Sequence, residues 1–158
     1  LNQSLRPVVH RLVDESEWSA HFWAILHLAF FAYSVCAIAV IVGAARVEGA
    51  SLWRFSVLVI SMLMLSPISS KSHFVALLLP HMAIVAYLMK NRALWKTALP
   101  LLCASFILNT LTSKALIGRE LSNKMLFLGC ITIGTLLLLA VVAVIVFQGR
   151  REARALEA

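Results

Sequence analysis

Apolar runs and short polar links alternate along nearly the whole chain. The apolar runs extend from about Phe22 to Ala45, Ala50 to Leu65, Phe74 to Met89, Thr97 to Thr112 and Met125 to Phe147. A helix needs roughly 20 apolar residues to cross the hydrocarbon core, with a range of about 17–25. The pattern therefore predicts an all-α fold, a polytopic transmembrane helix bundle of about five spans. Residues 1–21 read as an extracytoplasmic interfacial segment, 22–147 as the bundle, and 148–158 as a basic cytoplasmic tail. That tail is expected to meet anionic lipid heads.

The second and third runs are short, about 16 residues each, or roughly 24 Å at 1.5 Å per residue. Only Ser66-Pro67-Ile68-Ser69-Ser70-Lys71-Ser72-His73 separates them. Two readings of this link stand side by side. It is a tight hairpin at the interface, or it is recessed into the membrane, where irregular backbone needs surrounding protein or a water-filled cavity. Interrupted helices of the second kind often line binding sites. Pro80, two turns into the third run, is expected to kink its helix. Pro100 is expected in the first turn of the fourth, where a missing N–H does no harm.

The first residues follow another pattern. Leu5, Val8, Val9, Leu12 and Val13 share one apolar face at helical spacing, and Ser4 is placed to cap it. This predicts a short helix lying in the interface. Asp14, Glu15 and Glu17 then precede the first span, near the positive end of its dipole.

Composition supports the same class. The chain is 61% hydrophobic and 13% charged, whereas soluble domains run near 45–50% and about 25%. The net charge of +7 does not point to nucleic acid, because the cations sit in short clusters between apolar runs. Cys36, Cys103 and Cys130 form no CxxC pair and read as small buried hydrophobes rather than disulfide or metal ligands. No metal site is expected. Trp18, Trp23, Trp53, Trp95 and Tyr87 fall near span ends, as interfacial aromatics do. Ser34, Ser105, Asn109, Thr110, Thr132 and Thr135 are expected to bond across helices or back to their own backbone, and Gly129 and Gly134 to allow close helix approach.

Orientation follows the cations. With the C-terminus inside, the inner side holds Arg46, Arg54, Lys90, Arg92, Lys96, Arg150, Arg151 and Arg154. The outer side holds Arg6, Arg11, Lys71, Lys114, Arg119 and Lys124. The excess predicts a multi-pass plasma-membrane protein with a cytoplasmic C-terminus. The N-terminal segment and the Ser66–His73 link share the outer face, since two spans separate them.

Two polar clusters carry candidate chemistry on that face. One is Asn2, Gln3, Ser4, Arg6, His10 and Arg11; the other is Ser66, Ser69, Lys71 and His73. Cations with hydroxyls at a membrane boundary suit an anionic headgroup. Lys71 also reads as a snorkelling lysine and His73 as a packing histidine. No Asp or Glu lies within any span, which gives proton-relay or cation-pumping chemistry little support.

The run Asn2-Gln3-Ser4-Leu5 followed by Arg11-Leu12 resembles the "NQSL…RL" segment of glycosyltransferase family 87, polyprenyl-phosphate-mannose-type membrane mannosyltransferases. Leu65-Ser66-Pro67-Ile68-Ser69-Ser70-Lys71-Ser72-His73-Phe74, followed by Leu77-Leu78-Leu79-Pro80, resembles the same family's "LSPxS…H…LLP" motif. Many members carry a tryptophan after the second serine and two adjacent histidines; this chain has Ser70 and a single His73, with Lys71 two before it. The resemblance covers the whole chain as the C-terminal portion of a longer protein, consistent with a start at Leu1. It implies a GT-C architecture with an extracytoplasmic active site. It implies transfer of a hexose, mannose in the family, from a polyprenyl-phosphate sugar to a glycan or glycolipid acceptor, with inversion and with no other cofactor. Lys71, His73, Arg6, Ser66 and Ser69 become the donor-phosphate candidates, and Asn2, Gln3, Ser4, Arg11, Pro67 and Pro80 the motif residues. The family's acidic base lies in an N-terminal loop. Asp14, Glu15, Glu17 and Glu120 sit in no matching motif, so no catalytic residue is assigned and the chain alone is expected to be inactive. The other class of function open to these residues is a non-enzymatic membrane subunit or transporter fragment that binds an anionic lipid or solute.

Overall fold

The computed structural model describes residues 20–45, 47, 49–66, 75–110 and 112–157, with side chains described from Trp23 to Arg151. Among these residues the fold is all-helical. Helix α1 spans Ala20–Ala44 and α2 Ala50–Leu65. A 3-10 turn over 75–77 leads into α3, Leu78–Lys90. A second, Arg92–Leu94, leads into α4, Trp95–Thr110. Two short helices follow, α5 (Lys114–Ile117) and α6 (Arg119–Phe127), before the long α7, Cys130–Glu157.

Three helical stretches are long and apolar enough to cross a membrane: Trp23–Ala44, Arg92–Thr110 and Cys130–Arg151. Ala50–Leu65 and Val75–Lys90 are apolar but shorter. Among the described residues the five apolar runs are thus largely helical, and three helical stretches reach spanning length.

Helix α7 is the axis of the bundle, packed against α1, α2 and most extensively α4. Its Leu138, Val141, Val142 and Ile145 are fully buried. Around it α1 buries a narrow stripe of Leu26, Tyr33, Ala37, Val40 and Ala44. The spacing of seven, four, three and four keeps these on one side of a 3.6-residue helix. Phe31, Val35, Ile38 and Val42 point outward instead. An outward surface this apolar suits hydrocarbon, since soluble monomers rarely expose patches of that size. Side-chain bonds add to the packing: Tyr33 OH donates to Ser61 Oγ at 3.1 Å, joining α1 to α2.

Several expectations need correction. The two prolines exchange roles. Pro80 is the third residue of α3, which begins only at Leu78, so its missing N–H falls among the four that have no intrahelical partner. Pro100 lies inside α4, which begins at Trp95. The fifth run does not start a helix at Met125. α6 ends at Phe127, Gly129 turns with φ 72°, and α7 starts at Cys130. Gly129 is buried and makes the turn, because φ > 0 is cheap only without a Cβ. Helix α7 then continues through the basic tail to Glu157.

Trp53, in the first turn of α2, is buried in the core and meets Tyr87 edge to face, with centroids 5.2 Å apart. Cys130 is buried, but Cys36 and Cys103 are exposed. Gly134 does permit close approach. A Cβ there would stand 2.9 Å from Asn109 Nδ2 and 3.1 Å from the Ser105 carbonyl.

Candidate functional site

Of the donor-phosphate candidates only Ser66 lies within the described residues. Arg6, Ser69, Lys71 and His73 lie outside them, as do Asn2, Gln3, Ser4, Arg11 and Pro67. Ser66 caps the C-terminus of α2, its N–H donating to the Met62 carbonyl at 3.2 Å. Its ψ of 133° is extended. The next residue is Pro67, and proline excludes its predecessor from the helical region. Local chemistry thus ends α2 where the link begins. On the far side of the link, Val75 opens the turn into α3.

From that end a groove runs between α3 and α4. Its mouth, about 220 Å³, is lined by Val75, Leu77, Leu78, His81, Asn109 and Thr110, with Phe106 beside them. Further along the same two helices an open groove of about 330 Å³ is lined by Met82, Val85, Leu99, Leu102, Cys103 and Ile107, all but Leu102 exposed. His81 and Phe106 line both parts, their rings 6.1 Å apart at 72°. The groove is therefore polar where it opens beside the link's flank and apolar beyond.

His81 anchors a hydrogen-bonded chain through three helices. Its Nδ1 lies 2.7 Å from the Leu77 carbonyl, a contact that requires a hydrogen on Nδ1. Its Nε2 lies 3.2 Å from Ser105 Oγ. The Ser105 hydroxyl in turn donates to the Gly134 carbonyl of α7 at 2.7 Å. A serine has one hydroxyl hydrogen, so it serves Gly134 or His81 Nε2 but not both. With neutral imidazole the chain is one hydrogen short. Asn109 Nδ2 donates to the Ser105 carbonyl at 2.9 Å, which fixes the amide. Its Oδ1 is left buried without a partner.

This cluster is not a nucleophilic site. Ser105 is 0% exposed, so no substrate reaches its hydroxyl. Both ring nitrogens of His81 are committed to protein atoms. The arrangement instead ties α3 and α4 to α7 and holds the groove's width. Three further hydroxyls of the spans bond to their own helix. Ser34 donates to the Phe30 carbonyl, Thr110 to Phe106 and Thr135 to Ile131. Sequence reasoning passed over His81. Its signal was an imidazole inside an apolar run, directly after Pro80, where ionisable groups are costly and seldom idle.

Comparison with protein-family models, with curated proteins and with solved structures returns no match. The class defined by fold and composition is a helical protein that, among the described residues, has three helices long and apolar enough to cross a membrane.

Proposed function

We propose that this chain is the donor-binding part of a membrane glycosyltransferase that takes its hexose from a polyprenyl-phosphate sugar. In this reading all five apolar helices lie in the membrane, and the link faces the extracytoplasmic side. One observation carries the reading: the open groove between α3 and α4 is apolar along its length and reaches Val75 at one end. Val75 flanks the link that bears Lys71 and His73. A prenyl chain suits the groove, and a phosphate suits the cations and hydroxyls of the link.

The chemistry is a displacement at the anomeric carbon. The acceptor hydroxyl loses its proton to an acidic base supplied from outside the motifs of this chain. Its oxygen bonds to the anomeric carbon from the face opposite the phosphate. The bond from carbon to the phosphate oxygen breaks, and polyprenyl phosphate leaves with the electron pair. Negative charge grows on that oxygen, so donors fixed near it lower the barrier. Lys71 and His73 take that role, with Arg6, Ser66 and Ser69 as further donors.

The test uses membranes from cells expressing the complete gene product, supplied with a radiolabelled polyprenyl-phosphate sugar. Lys71→Ala and His73→Ala, at matched expression, should each lower transfer at least tenfold, about 1.4 kcal/mol. Transfer that persists in both variants removes the phosphate assignment. If the lipid binds but no sugar moves, a non-enzymatic anionic-lipid or solute-binding subunit replaces the transferase.

A further inference from the structure

Between α4 and α7 the chain makes an elbow of residues 112–129 at the groove's open end. Gly118 and Gly129, with φ of 79° and 72°, bracket α6 within it. One side of α6 is fixed to the bundle. Ser122 is buried and donates to the Thr112 carbonyl at 2.6 Å, and Leu126 is buried one turn on. This attachment determines what faces outward. Leu121, Phe127 and Leu128 are exposed, as is Leu116 on α5. Lys114, Arg119 and Lys124 are exposed with them, against a single acid, Glu120. An open depression of about 710 Å³ is lined by Asn123, Lys124, Phe127 and Leu128. An ammonium and an amide thus adjoin a ring and a leucine in one hollow.

We propose that this elbow is a docking surface for anionic phospholipid of the bilayer. Its large apolar side chains enter the acyl region, and its three cations meet lipid phosphates. The charge balance favours this occupant: cations outnumber acids three to one on an exposed surface that also carries leucine and phenylalanine. Helices that lie in an interface combine these two features. Juxtamembrane cations are attracted to anionic leaflets within a Debye length of the surface. The inference depends on membrane placement but not on sugar transfer.

Purified full chain is exchanged into bilayers containing equal phosphatidylglycerol and phosphatidylcholine, and the lipid retained through delipidating washes is measured. Wild type should retain phosphatidylglycerol in several-fold excess. The combined K114Q/R119Q/K124Q variant should lose at least two thirds of that excess, while K90Q/K96Q, at two exposed cations of the α3–α4 turn, should keep it. An excess untouched by the elbow substitutions, or lost equally with the Lys90–Lys96 pair, overturns the proposal. A second measurement stands even if the triple variant misfolds. Phe127→Trp should be quenched by lipids brominated along their acyl chains. A tryptophan there quenched only by aqueous iodide contradicts the docking.

Discussion

Replacing Gly134 by valine is expected to unfold the bundle at its centre. Gly134 faces α4 so closely that a single added carbon would stand 3.1 Å from the Ser105 carbonyl, a backbone atom that cannot swing aside. It would also press on Asn109 Nδ2 at 2.9 Å. The same contact aligns the Ser105 hydroxyl with the Gly134 carbonyl and, through it, His81. Overpacking costs about 1–3 kcal/mol when neighbours can adjust. Here a branched side chain meets backbone and breaks a three-helix chain, so about 3 kcal/mol or more is expected. Gly134→Ala is the sharper control. In an open helix that change gains about 1 kcal/mol of propensity; here it should cost about 1–2 kcal/mol, as packing outweighs propensity. Thermal unfolding of the detergent-solubilised protein, followed by helical circular dichroism and size exclusion, measures both. A Gly134→Ala protein as stable as wild type would falsify the close contact.

The second large effect belongs to Trp53. It is 1% exposed and lies edge to face with Tyr87, between α2 and α3. Truncating a buried tryptophan in a water-soluble core costs about 3–5 kcal/mol. Part of that figure is transfer from water, which counts for little when the alternative surroundings are lipid. The cavity and the lost aromatic contact remain, so Trp53→Ala should cost about 3 kcal/mol. Phe31, 68% exposed on α1, provides the comparison. Phe31→Ala should stay within about 0.5 kcal/mol, as surface substitutions do. Equal losses at the two positions would mean that burial inside the bundle is not what stabilises it.

The positions of the helices were readable because each apolar run is bounded by polar or glycine-containing links. What hydropathy could not supply was orientation about each helix axis. In α1 every face is apolar, so nothing in the sequence distinguishes buried Tyr33 and Val40 from exposed Phe31 and Ile38. The same loss of contrast made Cys36 and Cys103 look buried. The prolines were misjudged for a different reason. Their effect depends on where the first α-helical hydrogen bond forms, and the 3-10 turn at 75–77 moved that point in α3. The break at Gly129 interrupts a run whose hydropathy is continuous on both sides; only its backbone conformation reveals the turn. His81 was legible in principle, as an imidazole amid leucines, but its partners Ser105 and Gly134 are 24 and 53 positions away in the chain. Only packing brings them together. The link residues Lys71 and His73 remain motif-based candidates, connected to the fold through the flanks Ser66 and Val75.

The central claim places a prenyl chain in the groove between α3 and α4. The most direct measurement is photo-crosslinking of the complete protein in membranes with a polyprenyl-phosphate sugar that carries a diazirine on its isoprenoid chain, followed by mapping of the adducts. Adducts should concentrate on Met82, Val85, Leu99, Cys103 and Ile107, and an excess of unlabelled polyprenyl-phosphate sugar should suppress them. Adducts spread evenly over the outward faces, including Phe31, Ile38 and Val42 of α1, and insensitive to that competitor, would contradict it.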